Sequence, residues 1–171
     1  MLDSFNNITV FVFDVDGVLT DGSLLVMDGG LMMRRMHVKD GYALQLAVKK
    51  GYTIFVISGG NSPQVTERLL KLGITNVYMS ITDKLEKLKE LASQYQLQTE
   101  NILYMGDDIP DMEVMQYCGL ASCPADAASE IKSISKYISP VKGGEGCVRD
   151  VIEKVLKLQG KWRADTHIPS A

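Results

Sequence analysis

The sequence predicts an α/β fold, a parallel sheet with helices on both of its faces, and three observations predict it. Short β-branched or aromatic runs recur along the chain, as in Ile8–Phe13, Tyr52–Ile57 and Ile102–Met105. Apolar stripes at helical spacing lie between them. The two kinds of segment alternate, as in βαβ units whose crossover helices cover a parallel sheet. The 171 residues suit one domain, which we place at 1–162, with 163–171 as a C-terminal tail whose order the sequence leaves open.

The elements follow in order. Ile8-Thr9-Val10-Phe11-Val12-Phe13 reads as a strand buried on both faces. Ser23–Met27 and Leu31–Val38 read as two strands around Asp28-Gly29-Gly30, a hairpin at about 22–38 inserted after the first strand. A helix spans Tyr42–Lys50, and Tyr52–Ile57 is the next buried strand. Ser62 is an N-cap followed by Pro63 at the first helical position, with Val65, Leu69 and Leu72 on one face. Asn76–Met79 is a shorter strand. Leu85, Leu88, Leu91, Ala92 and Tyr95 mark another helix. Strands at Ile102–Met105 and Gly119–Ser122 come next, then a helix striped by Val148, Val151, Ile152, Val155 and Leu156.

The hairpin breaks the alternation. It carries Leu24, Leu25, Val26, Met27, Leu31, Met32, Met33 and Met36, and a lone two-stranded hairpin is marginal in water. A subunit interface is the natural cover, so a homo-oligomer is expected.

The bulk numbers exclude several classes. Net charge is −3 with 46% apolar residues, which offers no basic footprint for nucleic acid. The pairs Arg34-Arg35 and Lys49-Lys50 read as solvated faces. No apolar run has the length of a membrane span, and Met1-Leu2-Asp3-Ser4 does not open like a secretion signal, so a cytoplasmic protein is expected. Cys118, Cys123 and Cys147 form no C-x-x-C pair and read as buried reduced thiols rather than zinc ligands.

In an open parallel sheet, chemistry sits at the carboxyl ends of the strands. Asp14-Val15-Asp16-Gly17 falls there after the first strand, Ser58-Gly59-Gly60 after Tyr52–Ile57, and Gly106-Asp107-Asp108 after Ile102–Met105, with Asp111 close behind. Lys84 opens the helix after Asn76–Met79. Crowded carboxylates need a proton or a cation. An all-oxygen ligand set suits Mg2+, which also takes phosphate oxygens. Lys84 adds positive charge, Ser58 adds a donor in a helix-entry loop, and a phosphate monoester would supply the anion. Taken singly these residues have structural readings: Asp16 and Asp21 as turn residues, Asp108 as a helix cap before Pro110, Lys84 as a surface lysine. As an ordered set they point to a site.

Asp14-Val15-Asp16-Gly17-Val18-Leu19-Thr20, then Ser58, Lys84 and Gly106-Asp107-Asp108-Ile109-Pro110-Asp111, resemble the four motifs of the haloacid dehalogenase superfamily, in that superfamily's order. The resemblance implies a Rossmann-like α/β/α phosphatase fold in three layers. It implies Asp14 as the nucleophile that forms an aspartyl-phosphate and Asp16 as acid and then base. Magnesium would be held by the Asp14 carboxylate, the Asp16 carbonyl and the Asp107 carboxylate. Ser58 and Lys84 would hold the phosphoryl group, with Asp108 and Asp111 orienting Lys84 or metal-bound water.

The stretch from Asp14 to Ser58 holds only the hairpin and one helix, and that from Ser58 to Lys84 is shorter still, so no cap domain is expected. A capless tetramer with this hairpin is the pattern of the 3-deoxy-D-manno-octulosonate 8-phosphate (KDO 8-phosphate) phosphatases. His37-Val38-Lys39-Asp40-Gly41-Tyr42 is similar to their N-V-R-D-G-Y segment at the substrate site. Gly143-Gly144-Glu145-Gly146-Cys147-Val148-Arg149-Asp150 and Leu158-Gln159-Gly160-Lys161 resemble their later stretches, and Arg68 fits a substrate-binding arginine. The chain departs from that family at Gln45 and Gly60, where arginine is common. The resemblance implies a keto-deoxy sugar acid phosphate as substrate, KDO 8-phosphate first. The 2-keto-3-deoxynononic acid (KDN) 9-phosphate phosphatases, which share Lys71 but carry Glu where Gly60 stands, are the alternative. A D-x-D glycosyltransferase at Asp14–Asp16 and a non-catalytic scaffold are remoter readings.

Overall fold

The alternation along the chain becomes a parallel sheet because each strand is followed by a segment able to fold back over it. The computed structural model describes residues 2–169. Its elements are α1 (Leu2–Asn6), β1 (Val10–Phe13), the hairpin strands β2 (Leu25–Val26) and β3 (Met32–Met33), α2 (Val38–Lys49), β4 (Thr53–Ile57), α3 (Pro63–Lys71) and β5 (Asn76–Tyr78). They continue as α4 (Lys84–Gln94), β6 (Ile102–Met105), α5 (Met112–Tyr117), β7 (Leu120–Cys123), α6 (Ser129–Ile134), β8 (Tyr137–Ile138) and α7 (Cys147–Leu158). Among the described residues six strands form one sheet in the order β5-β4-β1-β6-β7-β8, every neighbour parallel. β1 is central, with Phe13 opposite Val56 of β4 and Met105 of β6.

Strand alternation divides the core in two. Phe11, Phe13, Ile54, Val56, Leu103 and Met105 face α2, α3 and α7. Val10, Val12, Phe55, Ile57, Ile102 and Tyr104 face α4, α5 and α6. The expected α7 stripe is fully buried, each side chain contributing about 1.5–3 kcal/mol. The N-terminus of α7 is satisfied from outside its own helix. Gly146 offers no capping side chain, and Asp40 Oδ1 of α2 accepts from the Arg149 N–H at 2.7 Å instead.

Several boundaries move. The hairpin strands are two residues each, antiparallel, with Leu25 opposite Met33. An isolated Thr20–Met36 bridge closes its base. α2 begins at Val38, so the predicted strand to Val38 overran into a helix entry; Gly41 in its first turn hid the helical pattern. The short α1, α5, α6 and β8 lie below the length at which periodicity is readable. Residues 163–169 are not a free tail. Asp165 pairs with Lys49 at 2.6 Å and its N–H donates to the Tyr42 hydroxyl. Gln45 Nε2 donates to the Pro169 carbonyl at 3.1 Å, and Ile168 packs on the core. Among the described residues no helix is long and apolar enough to cross a membrane.

Candidate active site

The site forms where β1, β4 and β6 end. Asp14 directly follows β1, its N–H donating to the Met105 carbonyl at 3.1 Å, which locks it to the end of β6. The chain then turns sharply, with Gly17 at φ +86°. A Cβ there would stand 2.0 Å from Asp107 Oδ2, so glycine is needed for the turn and for the approach of Asp107. Ser58 follows β4 and is buried; its hydroxyl accepts from the Gly60 N–H at 3.2 Å. Lys84 opens α4 after the Asp83 N-cap. Its buried Nζ lies 3.0 Å from Asp14 Oδ1 and 2.7 Å from Asp111 Oδ1.

Asp111 is the hub of this cluster. Tyr104 donates its hydroxyl to Asp111 Oδ1 at 2.8 Å, and the Asp107 N–H reaches Asp111 Oδ2 at 3.2 Å. Both Asp111 oxygens are therefore engaged. Carboxylate oxygens of Asp14, Asp107 and Asp111 lie within 4.8 Å of one another. Burial, with Asp111 beside it, pushes the Asp14 carboxyl up to about 7 against the pull of Lys84. Burial and the nearby Asp14 and Asp111 likewise push Asp107 up to about 7. Burial works against the Lys84 charge, but Asp14 and Asp111 outweigh it and its pKa is raised. The pocket thus holds more negative charge than its lysine balances.

A cavity of about 320 Å³ opens over this cluster, lined by Asp14, Asp16, Ser58, Gly60, Lys84, Asp107, Asp108 and Asp111, with Gly22, Gly59 and Pro110. The four sequence motifs therefore converge. Within them, the two residues expected to orient Lys84 or metal-bound water separate: Asp111 holds Lys84, while the exposed Asp108 turns to the Ile109 N–H at 2.8 Å.

The remaining predicted residues do not line this cavity. His37 and Lys39 border a separate cavity of about 630 Å³ beside α7. Asp40 is buried against the end of α7, and the space beside Gly41 is filled by Leu72 and Arg68. Val38 and Arg68 line a third cavity with Leu31, Met32, Met33 and Met36 of the hairpin. Gln45 holds the C-terminal segment.

Arg34 was misread as part of a solvated basic pair. Its side chain is only 6% exposed and grips Asp16, whereas Arg35 is 70% exposed beside Asp21. The available signal was a charge inside the apolar run Leu31–Met36. Tyr104 was also missed, because in the sequence it reads only as a strand residue.

The model of the haloacid dehalogenase-like hydrolases matches residues 71–151. The chain is 34% identical over 155 residues to 3-deoxy-D-manno-octulosonate 8-phosphate phosphatase KdsC of Escherichia coli K12, covering 91% of this chain and 82% of that one. The crystal structure of 3-deoxy-D-manno-octulosonate 8-phosphate phosphatase from Yersinia pestis superimposes with a TM-score of 0.91 at 33% identity, over 94% of this chain and 86% of that one. The Moraxella catarrhalis enzyme of the same name, solved with a magnesium ion, a phosphate ion and a KDO molecule, gives 0.90 at 31% identity, over 93% and 91%.

Proposed function

Because this chain belongs to the haloacid dehalogenase-like hydrolases, as a phosphoric monoester hydrolase of the 3-deoxy-D-manno-octulosonate 8-phosphate phosphatase type, we propose that it hydrolyses a keto-deoxy sugar acid phosphate, KDO 8-phosphate to KDO and phosphate, through an aspartyl-phosphate on Asp14. The observation that carries this reading is the Asp14–Lys84–Asp111 cluster, buried at the strand ends beneath a cavity that also holds Ser58.

Asp14 attacks phosphorus with one carboxylate oxygen as the ester bond breaks. Lys84 holds Asp14 in place at 3.0 Å and offsets its repulsion with the incoming phosphate. Ser58 donates its hydroxyl to a phosphoryl oxygen. Asp16 gives a proton to the departing alkoxide, then takes one from the water that cleaves the aspartyl-phosphate. The donor set fits magnesium. Burial and neighbouring carboxylates disfavour the charged forms of Asp14 and Asp107, which a cation would relieve, while Asp111 is committed to Lys84, Tyr104 and the Asp107 N–H. Asp14, Asp107 and the Asp16 carbonyl would hold the ion, which supplies charge neutralisation at the phosphoryl oxygens.

We also take the protein to be a homo-oligomer, a tetramer, acting in the cytoplasm, where three buried free thiols would persist. Burying the hairpin against a neighbour would carry Val38 and Arg68, which share its groove, toward another subunit's site.

Phosphate release with magnesium tests the reading. Asp14→Asn is expected to lose on the order of 10⁴-fold in kcat/KM; a variant within tenfold of the parent would overturn the nucleophile. Comparing KDO 8-phosphate with KDN 9-phosphate tests the substrate. A tenfold preference for the nine-carbon compound would move the chain to the alternative.

A further inference from the structure

Asp16 lies in a turn with extended φ −75° and ψ 120°, just before the left-handed Gly17. Its side chain is 34% exposed, so packing alone does not hold it. What holds it comes from the hairpin. Arg34 Nε donates to Asp16 Oδ1 at 2.7 Å and Nη2 donates to Oδ2 at 3.1 Å. Arg34 Nη1 donates to the Met32 carbonyl at 3.4 Å, tying the same guanidinium to its own strand. Thr20 Oγ1 adds a donor to Asp16 Oδ1 at 3.4 Å. Gly60 keeps this space open. A Cβ there would stand 3.1 Å from Asp16 Oδ2 and 3.2 Å from Arg34 Nη2.

We propose that Arg34 is a positioning residue for Asp16, its planar fork fixing the carboxylate toward the leaving oxygen from a hairpin otherwise remote from the chemistry. The proposal rests on the acid–base reading of Asp16 given above. A fork on both oxygens fixes rotation as well as place, which a point charge cannot do. Oδ1 accepts from both Arg34 and Thr20, whereas Oδ2 accepts from Arg34 alone and keeps a lone pair for the proton. In the step concerned, the bond from phosphorus to Asp14 forms and the ester P–O bond breaks. Its electron pair goes to the leaving oxygen, which takes the Asp16 proton and departs as a neutral alcohol.

Leaving groups separate this role from the others. An alkyl oxygen needs the proton, whereas a nitrophenolate does not. Values of kcat/KM, which report steps up to leaving-group departure, are measured with KDO 8-phosphate, with ribose 5-phosphate as an alkyl ester lacking a carboxylate, and with p-nitrophenyl phosphate. Arg34→Ala is expected to lose on the order of 10²-fold on both alkyl esters and less than about fivefold on the aryl ester. Arg34→Lys is expected to recover only part. Equal losses on all three would overturn the proposal in favour of a structural or phosphate-binding role. A loss confined to KDO 8-phosphate would overturn it in favour of carboxylate recognition. If Arg34→Ala does not fold, Arg34→Gln carries the same comparison, and the aryl rate reports an intact site. Asp16→Asn separates the two layers of inference. If it lacks leaving-group dependence, the acid–base reading fails and this proposal with it. If it shows that dependence and the Arg34 variants do not, the proposal alone fails.

Discussion

Asp40 shows how a residue inside a recognisable motif can brace the fold. Its Oδ1 caps α7 through the Arg149 N–H, while Oδ2 is buried without a protein partner. Burial raises its carboxyl from 3.8 to about 6, against the lowering pull of Arg149. A folded pKa above the unfolded value means that the protonated form is favoured on folding. The stabilisation is complete below pH 3.8 and is lost as pH rises through about 6, on the order of 3 kcal/mol. Asp40→Asn keeps the acceptor and removes the charge. Its denaturant midpoint is expected to gain on the parent between pH 4 and pH 7; a variant that gains nothing over that interval contradicts the account. Asp14, Ser58, Lys84 and Asp107 were legible because each sits directly beyond a strand or at the entry of the following helix. Arg34 was not, because its partner lies on a different segment and a basic pair in sequence says nothing of which member turns inward.

At the scale of elements, the hairpin is the feature with unfinished contacts. Leu25 and Val26 are each more than half exposed, and Leu31, Met32 and Met33 are exposed beside them. Two residues per strand cannot bury such a face by themselves. Starting from the homo-oligomer proposed above, Leu25→Glu with Val26→Glu is expected to give a monomer by light scattering, with the sheet's circular dichroism retained. An unchanged mass would remove the hairpin as the interface. If Arg34 acts as proposed, the same variant loses activity on alkyl esters first. The hairpin itself was legible from Asp28-Gly29-Gly30 between apolar runs, but its length was not. Alternating apolar residues persist to the start of α2: Met36, just before it, and Val38, its first residue, line the hairpin groove.

For the whole molecule, the site is an excess of negative charge set in a rigid sheet edge. A cation that binds only the folded state raises stability by mass action. At a hundredfold excess over its Kd, magnesium is expected to contribute about 2.7 kcal/mol, shifting Tm by about 2–4 °C for each kcal/mol. The shift should vanish in Asp107→Asn, and a shift of equal size there would place the ion elsewhere. The family likeness displaces the glycosyltransferase and scaffold readings, since the matched relatives are phosphatases over most of their length.

By itself the sequence determined the α/β class, the order of the major strands and the four motifs at their ends. These depend on local periodicity and on polar groups placed just beyond the strands. Only the tertiary structure decided that Asp111 rather than Asp108 holds Lys84, that Tyr104 braces it, that residues 163–169 lie against α2, and that Arg34 reaches Asp16. Those contacts join different elements, where side-chain direction is set by packing and charge rather than by neighbours in sequence.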